Sequence, residues 1–123
     1  MYPIRATIAV FEDDTSVRLS LSALLESDGY VALAFASSAE FFESGRPESC
    51  ACFVLDVEMQ DETGFDILTR LRQMGYSAPA VFISGRVTAD MRAKAAALQA
   101  DFLQKPTMPR TLLAKIAEAV GRR

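Results

Sequence analysis

The feature that most constrains this chain is a fivefold alternation of short apolar runs with amphipathic stretches of helical period. Thr7-Ile8-Ala9-Val10-Phe11 has the length and composition of a buried strand, and Val17, Leu21, Leu24 and Leu25 then recur at helical spacing up to Gly29. Tyr30 to Phe35 reads as a second strand. Ser37 and Glu40 have the spacing of a capping box and open a short helix with Phe41 and Phe42, closed by Gly45 and Pro47. Cys52-Phe53-Val54-Leu55 is a third strand, and Phe65, Leu68 and Leu71 mark one face of a helix that Gly75 ends. Ala80 to Ser84 is a fourth strand, followed by an alanine-rich helix from about Ala89 to Leu98. Asp101 to Gln104 is a short fifth strand, and Pro109 suits the first turn of a last helix striped with Leu112, Leu113, Ile116 and Val120. Strands that alternate with helices pair in parallel, and each crossover lays its helix on the sheet. The expectation is one domain over residues 1–123, a three-layer α/β sandwich with a five-stranded parallel sheet.

Composition narrows the function classes. Thirteen basic and sixteen acidic residues give a net charge of −3, which argues against binding a phosphate backbone, a task that needs clustered Lys and Arg. No histidine occurs, so a His-based triad, a His-ligated metal and a phosphohistidine are excluded within the chain. The N-terminus lacks the pattern of a secretory signal, and no run approaches the roughly 20 apolar residues that span a bilayer. A cytoplasmic location without membrane contact is the corresponding expectation. Cys50 and Cys52 are read as small buried apolar side chains on opposite faces of a strand, a poor arrangement for a mutual disulfide. The alanines at 89, 93, 96 and 97 would permit a partner helix to approach closely, but tight packing on the sheet is the preferred reading.

In a sheet of this type the chemistry sits beyond the carboxyl ends of the strands. The first strand ends in Glu12, Asp13 and Asp14, the third in Asp56, the fourth in Ser84, and the fifth in Lys105-Pro106. Asp14 is expected to cap the next helix. Asp56 follows four apolar residues and is held near the core, where a carboxylate is costly unless paired or metal-bound. Clustered carboxylates repel, and a hard divalent cation relieves them; Mg²⁺, with Mn²⁺ as a substitute, prefers such oxygen ligands. With the metal in place Asp56 can act as a nucleophile toward phosphorus, while Lys105, Ser84 and the metal each take one oxygen of the transferred group.

At this point the residues resemble the receiver domains of bacterial two-component response regulators. The acidic pair Glu12-Asp13, Asp56 with Gly64 eight residues later, Ser84 followed by a small residue, and Lys105-Pro106 occur in that family's order across essentially the whole chain. The resemblance implies the flavodoxin-like fold of the chemotaxis regulators, with strand order 2-1-3-4-5. It implies Asp56 as phosphoacceptor and a sensor histidine kinase as phosphodonor. It implies Mg²⁺ held by Asp13, Asp56 and the backbone carbonyl of Glu58, with Glu12 acting mainly through a metal-bound water. Ser84 and Phe102 would form a switch that reshapes the surface of the fourth helix, fifth strand and fifth helix; a packing aromatic is the alternative reading of Phe102. A downstream partner or fused output domain, and dimerisation on phosphorylation, are further family-level expectations. Phe82-Ile83-Ser84-Gly85-Arg86 and Ala34-Phe35-Ala36-Ser37 look most like regulators whose output is a helix-turn-helix DNA-binding domain. Whether the chain is a single-domain regulator or part of a longer one stays open.

Two positions depart from the family pattern. Gln60 stands where the family commonly has proline, which removes a fixed φ angle and predicts a looser loop after Asp56. Glu58 places a carboxylate two residues beyond the acceptor, a position that predicts an altered lifetime of the acyl phosphate. Two rival readings are a haloacid-dehalogenase-type phosphatase and a phosphorylation-independent pseudo-receiver. The first wants Asp-x-Asp where this chain has Asp56-Val57-Glu58, and the second tends to lose one of the five residues that are intact here.

Overall fold

A computed structural model describes residues 5–44 and 50–121. The elements run β1 (Thr7–Phe11), α1 (Thr15–Ser27), β2 (Val31–Phe35), α2 (Ser38–Glu43), β3 (Cys50–Asp56), α3 (Gly64–Gln73), β4 (Ala80–Ser84), α4 (Ala89–Ala97), β5 (Ala100–Gln104) and α5 (Pro109–Ala119). All pairings are parallel and the strand order is β2-β1-β3-β4-β5, as expected. Gly45 and Pro47, read as the end of the second helix, lie outside the described residues.

Each apolar run becomes a strand because both of its faces are covered, and the alternation of side chains sorts the core into two layers. Ala9, Phe11, Phe53, Leu55 and Phe82 face Phe41 of α2, Phe65, Leu68 and Leu71 of α3 and Ala95 of α4. Ile8, Val10, Val54, Val81 and Ile83 face Leu25 of α1 and Leu112 and Ile116 of α5. Full burial of such side chains contributes roughly 1.5–3 kcal/mol each, so the three inner strands dominate the stability.

Local chemistry sets the helix boundaries. Asp14, Ser37, Thr63 and Thr88 each accept a hydrogen bond from a first-turn amide, and α5 begins on Pro109 without a side-chain cap. Thr63 and Asp66 form a reciprocal capping box. The box expected at Ser37 is only half made: Ser37 Oγ accepts from Glu40 N, but Glu40 reaches past Ser37 to the amide of Ala36 at 2.8 Å. Gly29 and Gly75 take positive φ, 91° and 94°, at the ends of α1 and α3, as a left-handed C-terminal residue requires.

Two expectations need correction. Residues two apart on a regular strand share a face, so the expected opposition of Cys50 and Cys52 does not follow from their spacing. They do lie against opposite layers, because the β1–β3 register shifts between Thr7↔Cys50 and Ile8↔Cys52 and inserts Ala51 as an extra residue. Cys52 is fully buried and its thiol is pushed up to about 12 by that burial, whereas Cys50 is half-buried. The alanines of α4 do not pack on the sheet: Ala89, Ala93, Ala96 and Ala97 are exposed, and Ala95 alone of that helix is buried.

Candidate functional site

The carboxyl ends of β1, β3, β4 and β5 converge on one edge of the sheet, and the site is built from what each delivers there. Asp56 is the last residue of β3 and is 5% exposed. One carboxylate oxygen, Oδ1, accepts from the backbone amide of Glu58 at 2.9 Å, and Oδ2 accepts from Lys105 Nζ at 2.7 Å. The lysine arrives from the β5–α5 connection, where its own amide donates to Ser84 O at 2.7 Å. Burial alone would lower the Lys105 pKa. Its hydrogen bond to Asp56 and the charges of Asp56, Glu12 and Glu58 outweigh that effect and hold the ammonium above its ordinary range.

Glu12 is 3% exposed, and its backbone is fixed on both sides. Its amide donates to Phe35 O, and its carbonyl accepts from Arg18 Nη1 at 2.8 Å. The carboxyl is pushed up to about 7, first by burial and then by a hydrogen bond with Asp56, partly offset by the amide of Asp14 that donates to Oε2. Arg18 carried no signal in the sequence beyond being a basic residue one turn into the helix that follows an acidic strand end. A cleft of about 500 Å³ opens beside these groups, walled by Val17, Leu21, Pro106 and Thr107.

Asp13 is half-buried and accepts from the backbone amide of Gln60 at 2.7 Å. That contact reverses the expectation for position 60. A proline there would have no N–H to donate, so the departure from the family pattern ties the β3–α3 loop to the end of β1. The loop is closed further by a bridge between Glu58 and Thr63. Gly64 is required by space: a Cβ built on it would stand 2.5 Å from the backbone oxygen of Asp56, because the first turn of α3 lies directly against the end of β3.

Ser84, expected to be drawn toward the phosphoryl group only once Asp56 carries it, is fully buried at the end of β4. Its hydroxyl donates to Glu58 Oε1, and its Oγ accepts from the amide of Arg86 at 3.3 Å. Phe102 is half-buried and its ring packs against Phe65 and Phe82, at centroid separations of 6.2 and 6.0 Å. Glu12, Asp56 and Lys105 are thus brought together, while Asp13 and Ser84 stand at the margins with partners of their own. Among the described residues no three carboxyl-bearing or thiol groups are gathered around one point. The groups expected as donors, the carboxylates of Glu12, Asp13 and Asp56 and the carbonyl of Glu58, are all oxygen, and the closeness of Glu12 to Asp56 is what a hard divalent cation relieves. The residues therefore fit Mg²⁺.

Residues 8–117 match the model of the response regulator receiver domain. The chain is 36% identical over 119 residues to nodulation protein W of Bradyrhizobium diazoefficiens, covering 96% of this chain and 52% of that protein. It is 34% identical over 116 residues to the response regulator protein TodT of Pseudomonas putida, covering 94% and 51%. The chain spans about half the length of the curated relatives it matches. Among solved structures, the response regulator StyR superposes with a TM-score of 0.86 at 33% identity, over 96% of this chain and 60% of that one. A receiver domain protein of Methanospirillum hungatei superposes with a TM-score of 0.85 at 23% identity, over 96% and 95%, a likeness of fold. No helix of the described residues is long and apolar enough to cross a membrane. Fold, family match and relatives agree: the chain belongs to the response regulator receiver domains of two-component signalling systems.

Proposed function

We propose that this domain accepts a phosphoryl group on Asp56 from a sensor histidine kinase and transmits that event through its α4-β5-α5 surface. The observation that carries the reading is the buried Asp56 carboxylate paired at 2.7 Å with Lys105. A carboxylate so placed costs energy unless its charge is used. A carboxylate oxygen of Asp56 forms the new O–P bond as the donor's P–N bond breaks, and the leaving imidazole takes up the proton it needs. Lys105, already charged, meets the negative charge on the phosphoryl oxygens without reorganisation. Asp13, Asp56 and the Glu58 carbonyl would hold Mg²⁺, with Glu12 behind them through a water. The ion, when bound, supplies charge neutralisation for the incoming phosphoryl group. In this role the domain turns over no separate substrate and promotes only its own phosphorylation and hydrolysis.

Ser84 and Phe102 are the proposed relay from the acceptor to the readout surface. The relatives are about twice as long as this chain, and one at 32% identity is the transcriptional regulatory protein FixJ of Azorhizobium caulinodans. A separate output domain that contacts DNA, driven by dimerisation of receivers, fits that length and the net negative charge of this domain. The test is incubation with acetyl phosphate and Mg²⁺ followed by intact-mass measurement. The wild type should gain the mass of one phosphoryl group and Asp56→Asn should not; no gain, or an equal gain in the variant, would overturn the assignment.

A further inference from the structure

The side chain of Glu58 makes a contact that the acceptor chemistry does not use. It lies two residues beyond Asp56, and its carboxylate accepts the hydroxyl of Ser84, the fully buried residue that ends β4. The backbone of the same residue donates to Asp56 Oδ1 at 2.9 Å. Residue 58 therefore touches the acceptor through its main chain and the switch hydroxyl through its side chain. Its position is held by the bridge to Thr63, which caps α3. The first residue of the β4–α4 connection, Gly85, has Glu58 Oε2 as the nearest atom to a built Cβ, at 4.0 Å. The carboxylate thus lies against the backbone that leads into α4.

A serine hydroxyl has one proton to donate. It can satisfy Glu58 or a phosphoryl oxygen on Asp56, not both. We propose that the Glu58 carboxylate is a latch on Ser84, occupying the hydroxyl in the unphosphorylated domain so that phosphorylation must displace it before β4 and the β4–α4 connection can rearrange. The inference rests on the reading of Asp56 as phosphoacceptor. It makes Glu58 a positioning residue that sets how strongly the phosphorylated conformation is disfavoured, separate from the metal-binding part assigned to its backbone carbonyl. Hydroxyl donation to a carboxylate is charge-assisted. The side chain that provides it is exposed to solvent, so the penalty corresponds to one net hydrogen bond, a factor of roughly 3 to 10 in the apparent affinity for a phosphoryl mimic.

The test is a double-mutant cycle on the whole chain, with beryllofluoride and Mg²⁺ as the probe and Glu58→Ala and Ser84→Ala as the two changes. Glu58→Ala should bind beryllofluoride roughly 3- to 10-fold more tightly than wild type, and the gain should vanish in the Ser84→Ala background. An equal gain in both backgrounds would show a general charge effect and overturn the latch, as would no gain. A ligand-free readout keeps the two readings apart. The amide of Arg86 donates to Ser84 Oγ at 3.3 Å, so its ¹H–¹⁵N resonance should move in Glu58→Ala without any ligand, while resonances of the distant α1 C-terminus stay in place. An unmoved Arg86 amide removes the latch even where beryllofluoride binds normally. Failure of the wild type to bind the probe at all, with the amide shift present, would instead remove the phosphoacceptor reading and with it the latch's function.

Discussion

Gly64 and Gln60 show how much of this site depends on single atoms. The Cβ of an alanine at 64 would stand 2.5 Å from Asp56 O, and the atom it meets is backbone, which cannot swing aside. Gly64→Ala should cost about 1–3 kcal/mol by overpacking and displace the acceptor as well. Urea unfolding and the rate of labelling by acetyl phosphate should both show the loss; an unchanged labelling rate would mean that the end of β3 tolerates the shift. At position 60 the bond to Asp13 comes from the main chain. Gln60→Ala should therefore leave Mg²⁺ affinity unchanged, whereas Gln60→Pro removes the donor and frees Asp13, tightening Mg²⁺ binding by a few-fold, on the order of one net hydrogen bond. A Mg²⁺ titration of both variants distinguishes a backbone contact from a side-chain one.

At the level of the element, Arg72 within α3 and Glu62 just before its N-cap hold that helix to its surroundings. Arg72 donates to the carbonyls of Leu98, Tyr76 and Ala78 at 3.0, 2.9 and 2.6 Å, binding the C-terminus of α3 to the end of α4 and to the approach to β4. Arg72→Ala should lose about 2–3 kcal/mol in urea unfolding, and Arg72→Lys should restore little of it, because a single ammonium cannot reproduce the planar fork. Near the other end, Glu62 accepts from the amide and hydroxyl of buried Ser38, with Arg70 alongside. Burial would raise the Glu62 carboxyl, but the Ser38 hydrogen bonds and Arg70 hold it below the ordinary 4.5. A depressed folded-state pKa gives stability that is present above the unfolded value and lost as pH falls through the folded one. The stability advantage of wild type over Glu62→Gln should hold at neutral pH and shrink below about pH 4.5; a gap independent of pH would rule the linkage out.

For the molecule as a whole, the acceptor edge joins four strands to loops on both layers, so a ligand there should stabilise the folded state globally. Beryllofluoride with Mg²⁺ at about a hundred times its Kd should add roughly 2.7 kcal/mol to unfolding, and Asp56→Asn should show none of this gain in a thermal melt. The order of elements, the parallel sheet and the strand-end positions of Glu12, Asp13, Asp56, Ser84 and Lys105 were legible in the chain because periodicity, capping residues and strand termini are local properties. Other features rest on contacts between residues far apart in sequence or on the register between strands. Ser84 finds Glu58 across two strand ends, Asp13 finds Gln60 across the β1 and β3 loops, and the extra residue at Ala51 turns Cys50 and Cys52 to opposite layers. Spacing along the chain says which groups reach the edge of the sheet. Which donor meets which acceptor there is settled by packing, since buried polar groups draw their partners from whatever the neighbouring elements bring within about 3 Å.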